Sequence, residues 1–444
     1  MILSGDIGGE NMAENKSDSG VLKLDDIDPG HIWDKAVPAP GQRNVDFEER
    51  VNFSRLHNYR LARLRAALAE TDLGSMLCFD NNNIRYMTST VIGEWSRDKL
   101  TRFSLLTGNG DPYVWDFGSA ALHHRLYAPW LKPDHCRAGL LGMRGMVPPS
   151  AGLMRGHAEE IKEILVEEGV ADQPVGVDYI EPPMQMELER VGITVLDGQQ
   201  MMLDAREVKS QDELILLNQA AAMVDGTYHM IMEELKPGIR ESDIVALANK
   251  KLYELGSDDV EAINAISGER CSPHPHNFTD RIFRPGDQAF FDIIQSFNGY
   301  RTCYYRTFNI GRATDAQEDA YKKAREWIDA AIELVKPGTT TDQIAAVWPK
   351  AEDFGFANEM EAFGLQFGHG LGLNLHERPV ISRLVSFDHP LEIKEGMVFA
   401  LETFCPASDG MSAARIEEEV IVTNDGCRLI TLFPAEELPI SHKY

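Results

Sequence analysis

Gln366 to Pro379 reads QFGHGLGLNLHERP, and Asp292 to Phe308 reads DIIQSFNGYRTCYYRTF. The reading of the whole chain turns on these two stretches. The first sets His369 and His376 among Gly368, Gly370 and Gly372. With no Cβ in the way, glycines there let the backbone run close to a bound group. The second opens on an acid directly after the apolar Ala289-Phe290-Phe291, so Asp292 stands on a strand. Two more acids follow the same pattern. Glu402 ends GMVFALE, and Glu417 lies in ARIEEEVIVT, where Ile416 alternates with polar neighbours before an apolar run. Taken singly, an acid at a strand end is usually solvated, and a lone histidine on an apolar strand is usually a core group with its own hydrogen bonds. The succession Asp, His, His, Glu, Glu along one chain argues for a site instead. Carboxylates and a histidine on facing strands form a hard-to-borderline donor set suited to manganese, iron, cobalt or zinc.

These acids sit within an internal repeat. Leu235-Lys236-Pro237-Gly238 recurs as Val335-Lys336-Pro337-Gly338, each closing a helix and leading into a new one near Asp243 or Asp342. Proline cannot continue the hydrogen-bond ladder and glycine takes the turn. Further on, Arg284-Pro-Gly-Asp leads to Phe291-Asp292, and Lys394-Glu-Gly-Met leads to Leu401-Glu402. Each unit is a turn, an apolar strand and one inward carboxylate. Two such units related by a pseudo-twofold would aim both carboxylates at one central point, between antiparallel strand groups backed by helices.

The first half of the chain mixes helices and strands. Helical spacing of apolar residues covers Phe53 to Leu68, and a second helix is expected from His157 to Gly169. Ser75–Asp80, Pro112–Phe117 and Val175–Ile180 read as strands, which makes this an α/β region. The polar run Arg206–Glu213 precedes a long helix and marks the boundary. The expected division is a flexible segment over 1–45, one domain over 46–208 and a second over 209–444.

The chain has 444 residues, with 43 basic and 70 acidic side chains and a net charge of -27. Such a surface repels phosphate backbones, so nucleic acid is not an expected partner. Cys78, Cys136, Cys271, Cys303, Cys405 and Cys427 form no CxxC and read as reduced, mostly buried thiols. No apolar run is long enough to span a membrane, and the first residues lack the basic start and apolar core of a signal peptide, so a cytoplasmic location is expected.

The motifs have a known counterpart. Their order and spacing resemble the creatinase/prolidase superfamily (metallopeptidase family M24, the pita-bread fold). HGLGLNLHERP matches its proline-peptidase signature, and DIIQSFNGYRTCYYRTF matches the stretch that holds two metal-binding aspartates. GMVFALE and RIEEEVIVT match its two glutamate strands, and SPHPHNFTDRIFRPGD (Ser272 to Asp287) matches the segment that supplies a substrate-facing histidine. The resemblance covers about residues 210–444. It implies a creatinase-like α/β N-terminal domain and an α+β pita-bread C-terminal domain with a pseudo-twofold repeat. It also implies one or two divalent ions (iron, manganese, cobalt or zinc) held by Asp292, Cys303, His369, Glu402 and Glu417. His276 and His376 take the catalytic positions, and Trp95, His274 and Arg415 the substrate-binding ones. The stretches Asn83–Phe103 and Tyr113–Ser119 are similar to the superfamily's dimethylsulfoniopropionate lyases, in whose dimers a tryptophan near the position of Trp95 reaches the partner's site.

One position departs from the pattern. The family's second, bridging aspartate is Cys303 here. Three readings stand: a thiolate that ligates or bridges, a single ion held by His369, Glu402 and Glu417, or a metal-free site like that of creatinase. The functions implied are hydrolysis of a C–N bond in a small amide, dipeptide-like or guanidino substrate, C–S elimination of the lyase kind, or binding without catalysis on a decayed peptidase scaffold. Against the lyase, His376 stands where an aspartate base is expected, and Phe367 and Gly368 stand where an active-site tyrosine would precede His369. The resemblance also implies a homodimer. Scattering from the purified protein should return a dimer mass, and a monomer at micromolar concentration would remove that expectation.

Overall fold

The computed structural model describes residues 51–91, 102–108, 110–139, 145, 147–273, 275–362 and 366–443. Segment 1–45, Trp95 and His274 lie outside the described residues.

The N-terminal half is built on one mixed sheet. Helix α1 (Phe53–Ala69) is capped by the Asn52 side chain, which accepts from the Arg55 backbone amide at 2.8 Å. It buries Leu56, Arg60, Leu64 and Leu68, a stripe at i, i+4 spacing. The strands are β1 (Ser75–Cys78), β2 (Phe103–Thr107), β3 (Tyr113–Asp116), β4 (Cys136–Ala138), β5 (Val175–Val177) and β6 (Val195–Asp197), in the spatial order β4-β3-β2-β1-β5-β6. Helices α2 (Asn81–Thr88), α3 (Gly118–Tyr127), α4 (Leu153–Glu167), α5 (Pro182–Arg190) and α6 (Gln199–Arg206) connect them. Helix α4 starts a turn earlier than the sequence suggests, because Met154 joins Ala158, Ile161, Ile164 and Leu165 on its buried face. Strand β5 stops earlier than expected. The Asp178 carboxylate accepts from the Phe79 and Asp80 amides at 2.8 and 3.1 Å, which turns both chains out of the ladder.

The C-terminal half shows the duplication in its turn hydrogen bonds and strand pairing. The first unit comprises α7 (Gln211–Glu234), α8 (Glu241–Leu255), β7 (Asp259–Ser267), β8 (Gln288–Phe297) and β9 (Tyr300–Ile310). The second comprises α9 (Asp315–Leu334), α10 (Thr341–Ala345), β10 (Gln366–Gly370), β11 (Glu377–Ile381), β12 (Val398–Pro406) and β13 (Ala413–Val422), followed by β14 (Cys427–Leu429) and β15 (Ile440–Ser441). Gly238 donates to the Phe283 carbonyl at 2.9 Å, and Gly338 donates to that of Ile393 at 3.0 Å. Both glycines hold a left-handed φ, 94° and 87°, as the Pro-Gly stop requires. Gly286 bonds the Ile310 carbonyl and Gly396 that of Val422 in the same way. Carried along the strands, this equivalence sets the Asp292–Tyr305 pair of β8 and β9 against the Glu402–Glu417 pair of β12 and β13.

The two sheets, β15-β9-β8-β7 and β11-β10-β12-β13-β14, meet where β9 lies against β13. Side chains stitch the seam. Thr307 Oγ1 donates to the Arg415 carbonyl at 2.6 Å and accepts from the Arg415 amide at 2.8 Å. Glu419 accepts from the Cys303 amide and the Thr302 hydroxyl, both at 2.6 Å.

Residues at the junction of the two halves clamp the far end of the second unit. Lys209 Nζ stands 3.1 Å from Glu377 Oε2, and Arg206 Nε stands 3.5 Å from Glu377 Oε1. All three side chains are buried. Burial alone would raise the Glu377 carboxyl, but Lys209 and Arg206 outweigh it and hold the group below its usual range. Glu377→Ala leaves two buried cations without their acid and should cost about 3–5 kcal/mol in denaturant unfolding. A depressed carboxyl stabilises above its unfolded value of about 4.3, and the contribution fades as pH falls through the folded value. Wild-type and variant stabilities should therefore converge in acid, and a constant gap from neutral to strongly acidic pH would count against the clamp.

Candidate metal centre

Strand alternation on both sides of the seam aims the chemistry inward. On β13, Glu417 and Glu419 face the interior, while Glu418 points the other way to Arg306 and Arg325, each at 2.8 Å. On β9, Cys303 and Tyr305 share one face. Glu402 pairs with Glu417 across the β12–β13 ladder, and His369 on β10 pairs with Ala400 of β12. Five strands of two sheets thus deliver Asp292, Cys303, His369, Glu402 and Glu417 to one buried place.

The tightest group is Cys303, His369 and Glu417, whose donor atoms lie within 4.8 Å of one another. His369 Nε2 is 3.6 Å from Glu417 Oε1. Cys303 Sγ is 3.9 Å from Glu417 Oε2 and 3.5 Å from Asp292 Oδ1. The Tyr305 amide donates to Glu417 Oε2 at 3.1 Å, and Asn264 Nδ2 donates to Asp292 Oδ2 at 2.9 Å. Glu402 is ion-paired with Arg415, whose guanidinium lies 4.1 Å from the centre of the Tyr305 ring.

The electrostatics match a site that expects a cation. Burial pushes the Glu417 carboxyl well up, and the neighbouring Glu402 and Asp292 charges add to it. Burial raises the Asp292 carboxyl and the Cys303 thiol too, the thiol further raised by the carboxylates around it. Glu419, behind Cys303, is raised by burial to about 8. Burial and the neighbouring His376 lower His369 to about 4, so its ring is neutral at physiological pH. His369 Nδ1 is 3.2 Å from the Gly370 carbonyl. A proton on Nδ1 donates there and leaves the Nε2 lone pair toward Glu417. Glu417 Oε1 is buried without a hydrogen-bond partner. An orphaned carboxylate oxygen beside an imidazole nitrogen and a sulfur fits a divalent ion, and the S, N, O donors suit zinc, iron or cobalt better than magnesium or calcium.

The remaining residues are placed as follows. The His376 ring packs 4.5 Å from that of His369, with Phe367 at 5.8 Å and its other side open to solvent. Partial burial lowers it as well. His276 is exposed on the segment between β7 and β8, outside the Cys303–His369–Glu417 cluster. Arg415 is buried and engaged with Glu402. The glycines of QFGHGLGLNLHERP serve packing within the protein. A Cβ on Gly370 would collide with the Arg378 carbonyl, and one on Gly372 with the Glu377 carboxylate. Sequence reasoning passed over Tyr305, Asn264 and Glu419. Tyr305 was findable, since two residues along a strand from Cys303 means the same face. Asn264 and Glu419 reach the site only through strand pairing and the seam.

The profile of metallopeptidase family M24 matches residues 216–424. The dimethylsulfoniopropionate lyase DddP of Roseovarius nubinhibens is 25% identical over 402 residues, 86% of this chain and 87% of that protein. The probable dipeptidase PepE of Mycobacterium bovis is 30% identical over 252 residues, 56% of this chain and 64% of that one, so the chain spans a little under two thirds of that relative. Among solved structures, dipeptidase PepE from Mycobacterium ulcerans superposes with a TM-score of 0.70 at 24% identity, covering 88% of this chain and 99% of its own, a likeness of fold. A divalent metal is what the M24 family implies for the buried cluster. Residues 216–424 form a metallopeptidase family M24 domain, and that match supports the resemblance of the chain's motifs to the creatinase/prolidase superfamily.

Proposed function

We propose that this chain is a metal-dependent hydrolase that cleaves a C–N bond in a small amide, dipeptide-like or guanidino substrate. The observation that carries the reading is the unpartnered, buried Oε1 of Glu417 beside His369 Nε2 and the Cys303 sulfur. The relationship to a probable dipeptidase and to an Xaa-Pro dipeptidase supports it. Cys303, His369 and Glu417 hold the ion in this reading, with Asp292 and Glu402 closing the ring around it. A divalent ion there supplies Lewis acidity at the substrate carbonyl. His376, neutral and open to solvent on one side, takes a proton from the attacking water and passes it to the departing nitrogen. His276 and His274 belong to the segment that faces the substrate. We assign residues 46–208 and 209–444 to two domains, expect Trp95 to meet the site of a partner copy in a homodimer, and place the enzyme in the cytoplasm. No helix among the described residues is long and apolar enough to cross a membrane.

A second reading is favoured by one observation. The match to the dimethylsulfoniopropionate lyase runs over 402 residues, well beyond the M24 segment and into the N-terminal half. In that reading a base, His376, removes the proton alpha to a substrate carboxylate and a C–S bond breaks.

The two readings separate in one assay series. The purified chain is offered proline-terminated dipeptides, guanidino compounds of the creatine kind and dimethylsulfoniopropionate, and amine or dimethyl sulfide release is followed. Amine release that stops on chelation is expected. His376→Ala should lower its kcat by roughly a hundredfold or more. Release of dimethyl sulfide alone would move the assignment to the lyase, and silence on every substrate would point to a binding protein on a decayed scaffold.

Cys303 is tested separately. As a ligand it is a thiolate, shielded from alkylation while the metal is bound and reactive after chelation. Cys303→Ala should then lower metal content. Equal metal content in wild type and variant would make Cys303 a packing residue, whose loss costs on the order of 1 kcal/mol.

A further inference from the structure

One buried carboxylate holds both legs of the segment that carries His276. Glu241 opens helix α8 and is fully buried. Its Oε1 accepts from the Ser267 hydroxyl at 2.6 Å, at the end of β7. Its Oε2 accepts from the Thr279 amide and the Thr279 hydroxyl, both at 2.8 Å, and from Arg270 Nη1. Ser267 and Arg270 precede His276 in the chain, and Thr279 follows it. Further bonds join the two legs directly. Arg270 Nη2 donates to Asn277 Oδ1 at 2.7 Å, and Arg281 donates to Ser267 Oγ at 3.0 Å and to Glu269 Oε2 at 2.7 Å. Arg281 lies so close over the first leg that a Cβ on Gly268 would collide with its guanidinium. Between the legs, His276, Asn277 and Phe278 are exposed.

The duplication shows that the turn itself needs no carboxylate. Glu241 corresponds to Thr341 at the start of α10. Both backbone amides bond a facing carbonyl, Glu241 that of Arg281 at 3.0 Å and Thr341 that of Leu391 at 2.9 Å. The Thr341 hydroxyl then accepts the Leu391 amide at 3.0 Å, and the turn is closed. A buried carboxylate is far more costly to desolvate than a hydroxyl unless several donors surround it. The carboxylate stands in the unit that carries His276, and its donors come from the two legs of that segment.

We infer that Glu241 is a positioning residue for His276: its carboxylate fixes both legs of the segment to the end of β7 and so sets where His276 stands toward the substrate. The inference rests on the reading above that this segment faces the substrate. Strand β7 gives the fixing a reference, since its Asn264 donates to Asp292 at 2.9 Å. A segment held only by its covalent ends would sample many conformations, and a side chain on it would meet a substrate in the reacting geometry only a small part of the time. Hydrogen bonds to a carboxylate are shorter and stronger than those between neutral groups, so one anion suffices to hold both legs.

Glu241→Gln keeps the shape of the side chain and removes its charge. Hydrogen exchange of the full-length chain, read by mass spectrometry, should be about tenfold faster in peptides covering 268–281 of this variant, with wild-type rates kept in β8, β9, β12 and β13. Kinetics on the substrate turned over in the series above adds what a merely structural role would not produce. His276→Ala and Glu241→Gln should each lower kcat/KM by roughly tenfold, and the double variant should be no slower than His276→Ala alone. Thr279→Val, which cuts one of the bonds, should fall between wild type and Glu241→Gln in both measurements. It carries the test if circular dichroism shows Glu241→Gln to be unfolded. Wild-type exchange in 268–281, wild-type kcat/KM in His276→Ala, or losses that multiply in the double variant would overturn the inference and leave the hydrolase reading standing. A wild type that turns over none of the substrates fails that reading instead, and the exchange rates then decide the positioning alone.

Discussion

Strands β9 and β13 touch without sharing a ladder, and the site exists because they do. Neighbouring strands of one sheet satisfy each other's backbone groups and leave their side chains on the two faces. Here the lengths of β9 and β13 that the short strands β15 and β14 leave unpaired meet, and side chains do the joining. Thr307 brackets the Arg415 backbone, Glu417 accepts from the Tyr305 amide, and Glu419 accepts from the Cys303 amide. Each bond crosses from one unit of the duplication to the other. Together they set the distance between the Cys303 sulfur and the Glu417 carboxylate, and so what the pair can hold.

The seam gathers acids that could not share a dry site unaided. Removing an ionised carboxylate from water is costly unless it is paired and hydrogen-bonded, and like charges drive one another toward the neutral form. The raised Asp292 and Glu417 carboxyls are the mark of that conflict. The protein relieves part of it with Arg415 on Glu402, Asn264 on Asp292 and the Tyr305 amide on Glu417. Cys303 alters the chemistry of what can be held there, because sulfur is softer than a carboxylate oxygen. The M24 domain is thus kept while the donors at its centre differ by one sulfur.

The N-terminal half also bears on the site. The segment that joins β10 to β11 carries His376 and ends on Glu377, which lies buried between Lys209 and Arg206. Arg301 bonds the Leu373 carbonyl of the same segment, and Arg60 donates to the Tyr300 hydroxyl at 2.6 Å. Because these partners come from both halves, the rim of the centre is held by charges far away in sequence, and a change at the junction bears on the placing of His376 without touching a ligand.

How much of this could be read from the chain depends on the range of the interaction. Apolar periodicity and Pro-Gly stops are local, so helix α1, strand β1 and the duplicated turns at Gly238 and Gly338 were legible, as were the five residues at the centre, through their motifs. Ends were less so. Strand β5 closes where Asp178 captures amides from a neighbouring strand, and α4 begins where Met154 finds the core, both matters of tertiary contact. The glycines around His369 are visible in the sequence, but the reason for two of them is the crowding of β10 against β11. The sequence by itself determined the duplicated framework, the acids it aims inward and the cysteine among them, because strand alternation and turn chemistry act over a few residues. Only the tertiary structure decided that Arg415 turns to Glu402, that Asn264 holds Asp292, and that Cys303, His369 and Glu417 come within reach of one another. Those choices depend on which strand edge meets which, and that is settled by packing between segments far apart in the chain.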